Sequence, residues 1–195
     1  MLQNPLQIRL EKFAPWQHVT FMTCLCERMY PNYAMFCEQT EFADPQAFRA
    51  ILDRIWESLT VKSAKVNFEN ELEKLEELFP NTSEYEFYGV YPAVDACVGL
   101  STLLHALLDK DTLFEATIEL SQHSISTVAQ LEVAQGSEEI TNDNQKDNQA
   151  VCEEWDVQWA IYRPIKESEE RDVQLIKDLR TELRDDGVSN IGVSL

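Results

Sequence analysis

Asp95 is the residue of this sequence whose setting most needs explaining, because it lies within YPAVDACVGLSTLLHALL at 91–108, the most continuously apolar stretch of the chain. A carboxylate enclosed by apolar side chains is costly unless it is paired or hydrogen-bonded. Two kinds of partner fit. One is structural, an arginine such as Arg28, Arg54 or Arg163, or a side-chain cap to a helix end near Pro92. The other is functional, with Asp95 as a general base or ligand on the floor of a pocket. At about 100° per residue Asp95, Gly99, Thr102 and His105 or Ala106 fall on one narrow polar or small stripe. Asp95 and His105 are nevertheless about 15 Å apart along an ideal helix, which excludes a catalytic dyad within it.

Glu27, Arg28 and Tyr30 form a second constellation, just before Pro31, Asn32 and Tyr33. A proline break frees backbone groups, and the charged and aromatic side chains beside it can line a cleft. The plainer reading is a helix junction held by hydrogen bonds. Together, Asp95, Glu27, Arg28 and Tyr30 are the candidate pocket or buried polar network. Glu119 and His123 stand four apart on one helical face, a spacing that binds metal only when other helices add ligands, and the Glu-x-x-His spacing of di-iron bundles is absent. His18 and Gln17 suit binding, capping or core roles. Trp155, Trp159 and Tyr162 suit either a core stripe or a recognition surface. No glycine-rich phosphate loop, nucleophile elbow or HExxH is present, so no catalytic residue, cofactor or metal is assigned.

The elements that must position these residues are all helices. Asn4-Pro5 starts a short first helix carrying Leu6, Leu10 and Phe13, and Pro15 opens a second that is apolar over too wide an arc to lie on the surface. Pro31 either kinks this helix or ends it. Asp44-Pro45 starts a third, with Phe48, Ile51, Leu52, Ile55 and Leu59 in stripe. Phe68, Leu72, Leu75 and Phe79 mark one packing face of a fourth, whose other face is acidic. The 91–108 run, with Pro92 in its first turn, is the central buried helix; its length also allows a membrane span, against which Asp95, Ser101, Thr102 and His105 argue. Asp111 is expected to cap a long helix running to Gly136, and 137–149 reads as an exposed loop. A last long helix over 150–186 is expected to bend or break at Pro164 before Gly187 stops it, leaving an irregular tail at 187–195. The expectation is one all-α domain over 1–195, a multi-helix bundle with proline-kinked long helices.

The 195 residues suffice for one sizeable core, and a formal charge of -19 speaks against binding to nucleic acid or to anionic membrane. A protein partner with a basic surface is allowed. Val173, Ile176, Leu179 and Leu183, spaced near 3.5, would pack on the bundle or on a second copy in a homodimer. Five cysteines, Cys24, Cys26, Cys37, Cys97 and Cys152, make an odd count without C-x-x-C and read as reduced, mostly buried thiols. The charged N-terminus MLQNPLQIRLEKF lacks a signal-peptide pattern, which points to the cytoplasm.

WQHVTFMTCLCERMYPNYAMFCEQTEF at 16–42, ILDRIWESLTVKSAKVNF at 51–68, YGVYPAVDACV at 88–98, EWDVQWAIYR at 154–163 and ERDVQLIKDLRTELRDDGVSNIG at 170–192 resemble the YjaG-like bacterial proteins. The resemblance spans essentially the whole chain, least at 141–149. It implies a helical fold and a cytoplasmic place, and, the family being of unknown function, supplies no site residues. Two functions are therefore expected to compete. One is a noncatalytic protein that binds a macromolecular partner through an acidic surface. The other is a small-molecule-binding protein or unclassified enzyme with a pocket near Asp95.

Overall fold

The computed structural model describes residues 2–195. Among them the chain forms α1 (Gln7–Leu10), α2 (Pro15–Thr40), α3 (Pro45–Thr60), α4 (Phe68–Glu76), α5 (Val90–Leu108), α6 (Leu113–Ala134), α7 (Gln149–Glu167) and α8 (Val173–Asp186), with no β-strand. The fold is all-α, as the helical periodicities require.

Two helices share the centre. α5 packs on α2, α4 and α6, while α2 also meets α3, α6, α7 and α8. Every residue of α2 from Gln17 to Ala34 is buried, which follows from its apolar arc. α5 is open along one side, where Asp95, Val98 and Thr102 are half-buried and Tyr91 and His105 are exposed. Its length and apolarity would allow it to cross a membrane, but here α2, α4 and α6 cover it. Gly99 permits the close approach: a Cβ there would stand 2.9 Å from Leu120 Cδ1 and 3.4 Å from Met29 Sδ.

Pro31 does not end α2, which continues through it to Thr40. A proline has no N–H to give to the carbonyl four residues back, so the Glu27 carbonyl loses its helical donor. The helix survives because both flanks are packed on five neighbours. Asp44 caps α3 through Gln46 N at 2.9 Å as its sequence signal predicts.

Two expected boundaries move. Asp109, not Asp111, is the capping side chain before α6. It accepts from Asp111 N at 3.2 Å and starts a 3-10 turn over Lys110–Thr112 that leads into the helix. α7 runs through Pro164 to Glu167, and the break falls instead at 168–172, where Asp172 accepts from Gln174 N and Leu175 N to start α8. Pro164 only removes the helical donor to the Ala160 carbonyl, and the Asp172 side chain fixes where the next helix begins. Arg171 in that connector donates to Leu59 O at 2.9 Å and Ser58 O at 3.0 Å, tying the break to the last turn of α3. Gly187, at φ 62, closes α8 in the left-handed conformation.

The stripe on α8 faces this chain's own bundle, with Ile176 and Leu179 buried against neighbours that include α2 and α3. Beyond it the tail carries a single bridge, Val188 to Ser194, and buries Ser189 and Asn190.

Candidate functional site

Glu27 and Arg28 are consecutive on α2, so their side chains diverge by about 100° and enter different layers. Glu27, 4% exposed, accepts from Trp56 Nε1 at 2.8 Å on α3, from Arg184 Nε at 3.0 Å on α8, and from Arg49 on α3. Arg184 also donates to Asp53, which takes Arg180 at 2.8 Å. The Arg49 guanidinium lies over the Tyr30 ring, 3.7 Å from its centroid, and Tyr30 in turn packs on Phe48. Burial pushes the Tyr30 phenol up from its ordinary range against the opposing pull of Arg49. This cluster fastens α2, α3 and α8 together. Its carboxylates are occupied by arginines, which suits a buried ionic junction and not a general base.

Arg28 turns toward α7 and donates from Nη2 to Glu154 Oε2 at 2.8 Å. Glu154, 2% exposed, also accepts from Ser124 at 2.9 Å and from Gln158 at 3.3 Å. Gln158 accepts from Ser121, which accepts from Asn4. On the other side Asn190 Nδ2 donates to Ser124 Oγ at 3.1 Å, and Asn32 Nδ2 donates to Asn190 Oδ1 at 2.9 Å. A continuous polar chain thus crosses the core from Asn4 to the C-terminal tail. Two donor or acceptor atoms in it have no partner, Arg28 Nε and Asn32 Oδ1. Arg28 lines two cavities, one of about 480 Å³ and one of about 300 Å³, which also share Val157 and Asp186.

Asp95 lies apart from these groups. Its Oδ2 accepts from Thr127 Oγ1 at 2.8 Å, and His123 Nε2 stands 3.7 Å from Oδ1. The same Nε2 is 3.0 Å from the Asp95 carbonyl oxygen. A carbonyl only accepts, so Nε2 carries the proton. Burial raises the Asp95 carboxyl from its ordinary range, opposed by His123 and Thr127. None of the arginines expected to pair with Asp95 does so: Arg28 is on Glu154, Arg54 on Glu57, and Arg163 makes no ion pair with it. Asp95 lines neither of the two Arg28 cavities. The helical spacing places Glu119 and His123 on one face, but not the α5 carboxylate that His123 meets.

The remaining candidates have structural settings. His18 Nδ1 is 2.9 Å from Thr117 Oγ1, whose own proton goes to Leu113 O, so Nδ1 donates. Burial lowers its pKa to about 4, with Glu115 opposing. Gln17 donates to Ile165 O and Ser168 O, holding the start of α2 on the end of α7. Trp155 and Tyr162 are buried in the core. Cys24, Cys26, Cys37 and Cys97 are buried free thiols and Cys152 is half-buried. Burial pushes the thiols of Cys24, Cys26 and Cys97 up, away from reactive thiolate. The residues that the sequence did not single out are Glu154, Ser124, Gln158 and Asn190. Glu154 sits on the side of α7 that carries apolar Val151, Trp155 and Tyr162, the one signal that could have marked it as buried.

The chain is 60% identical over 194 residues to the uncharacterized protein YjaG of Salmonella typhimurium, covering 100% of this chain and 98% of that one. It is 44% identical over 193 residues to an uncharacterized protein of Haemophilus influenzae, covering 98% of each. Its fold matches the crystal structure of a DUF416 family protein from Shewanella baltica with a TM-score of 0.91 and 35% identity, over 99% of this chain and 100% of that one. Since the family model described as "Protein of unknown function (DUF416)" matches residues 5–194, this chain belongs to the DUF416 family.

Proposed function

We propose that this protein is a noncatalytic helical binding protein that takes a macromolecular partner with a basic surface on its acidic exterior. The observation that carries this reading is where the charge sits. Among the carboxylate, lysine and arginine side chains of the described residues, only Glu27, Arg28, Glu71 and Glu154 are buried. Nearly all of the formal charge of -19 is therefore carried by groups that reach solvent. On α4 and the turn after it, Glu69, Glu73, Glu76 and Glu77 are all exposed, on the side away from buried Leu75. Such a face accelerates encounter with a basic partner and rejects acidic ones.

Affinity capture from cell extract, run at low and moderate salt with the parent protein and with Glu69, Glu73, Glu76 and Glu77 changed to glutamine, tests the reading. The expected result is a specific basic protein, retained less at moderate salt because exposed charges are screened beyond about 10 Å at 0.1 M, and lost with the variant. Recovery of no specific protein at either salt refutes it.

A further inference from the structure

Where the two cavities meet at Arg28, the molecule has a cleft whose chemistry is mixed in a particular way. Arg28 is nine-tenths buried, holds Glu154 with Nη2 alone, and leaves Nε without an acceptor. The rim is acidic: Asp186 borders both cavities, Glu132 and Glu153 the larger, and Glu182 the smaller. The walls between are apolar, with Val157 common to both. Volumes of about 480 and 300 Å³ fall within the range of ordinary ligand pockets.

Each simple ligand class fails on one count. A plain anion would satisfy the guanidinium but meet four carboxylates at the rim. A plain cation would satisfy the rim but leave the buried donor unpaired, which is unfavourable in a low-dielectric site. A molecule carrying both an acceptor and positive charge satisfies both. We propose that this cleft binds a small zwitterion of the α-amino acid class with a cationic side chain, its carboxylate on Arg28, its ammonium toward Asp186, and its methylenes along Val157 toward the second group of carboxylates. Binding requires the Arg28 guanidinium to turn its edge toward the cavity, where Nε and a terminal nitrogen offer the forked geometry that carboxylates prefer. The cleft is independent of any macromolecular partner on the exterior.

Isothermal titration of the full chain with L-arginine and L-lysine, and with agmatine and cadaverine, which are the same two chains without the carboxylate, tests the proposal. L-norvaline supplies the carboxylate and ammonium without the side-chain charge. The expected result is binding of arginine or lysine, weakened about tenfold or more for the decarboxylated partner and for norvaline, and weakened likewise in Asp186→Asn. Asp186 is exposed and forms none of the internal contacts, so that variant keeps the fold. The proposal is overturned if agmatine binds as tightly as arginine, if Asp186→Asn binds arginine as the parent does, or if neither amino acid binds at about 10 mM, above the range of weak specific binding.

Discussion

Replacing Arg28 with methionine leaves Glu154 as a carboxylate 2% exposed and without its counter-charge. Its other partners, Ser124 and Gln158, are neutral donors and cannot replace a guanidinium. Deleting one member of a buried pair costs about 3–5 kcal/mol. A chain of 195 residues unfolds with an entropy of about 0.4 kcal/mol/K near 60 °C, so the melting temperature of Arg28→Met falls by about 7–12 °C. Adding Glu154→Gln removes the stranded charge while keeping an oxygen for Ser124, and the double variant is expected to regain about half of that loss or more. Thermal unfolding followed by far-ultraviolet circular dichroism at neutral pH measures all three chains. If Glu154→Gln adds its own loss to that of Arg28→Met, or if Arg28→Met alone shifts the midpoint by less than about 2 °C, the pair is not the coupled buried charge described here.

His18 and Asp95 move stability with pH in opposite senses. His18 has a folded pKa near 4 against about 6.5 in the unfolded chain, so between these values the unfolded state binds a proton that the fold refuses and stability falls as pH drops; above about 6.5 the group has no effect. His18→Gln therefore flattens that part of the profile, read from urea midpoints. Asp95 has a raised carboxyl, so the fold takes up its proton first and the group becomes less destabilising as pH falls. Asp95→Asn, able to keep the Thr127 contact, raises the urea midpoint at pH 7 and loses this advantage in acid. Gly99→Val meets Leu120 and Met29 and lowers stability by about 2 kcal/mol, whereas no such loss in denaturant titration would mean that α5 and α6 can separate freely. Arg171→Ala frees the carbonyls of Ser58 and Leu59 and costs about 1–2 kcal/mol, with faster hydrogen exchange concentrated at the start of α8 and the end of α3.

How legible the fold was depended on the kind of signal. Asp44-Pro45, the stripe from Phe48 to Leu59 and Gly187 after α8 act within one or two turns, and each appears where its chemistry placed it. At Asp111 the neighbouring Asp109 takes the capping role, and α7 continues through Pro164 so that the break falls at the connector before the Asp172 cap. The importance of Glu27 and Arg28 was readable from charges inside an apolar arc. Their partners were not, since Arg184 and Glu154 approach through tertiary packing, and no local pattern specifies which of many surface-type residues will be drawn inward. Asp95 illustrates the same limit. Its need for a partner followed from burial, while the identity of Thr127 and His123 followed only from how α6 rotates against α5.

The polar chain across the core also bears on how fast this molecule can form. Helical bundles ordinarily fold quickly because most of their contacts are local in sequence. Here the buried polar side chains of α2 wait for groups far along the chain: Arg28 for Glu154 across 126 residues, Glu27 for Arg184 across 157, and Asn32 for Asn190 across 158. Each closure orders a long segment before its electrostatic return arrives. α2 can be helical early, yet it cannot be buried cheaply until α7, α8 and the tail have docked. These closures are therefore expected to slow folding relative to a bundle whose buried polar contacts are local, and the residues around Asn190, late in the chain, complete the enclosure of a helix that began near its start.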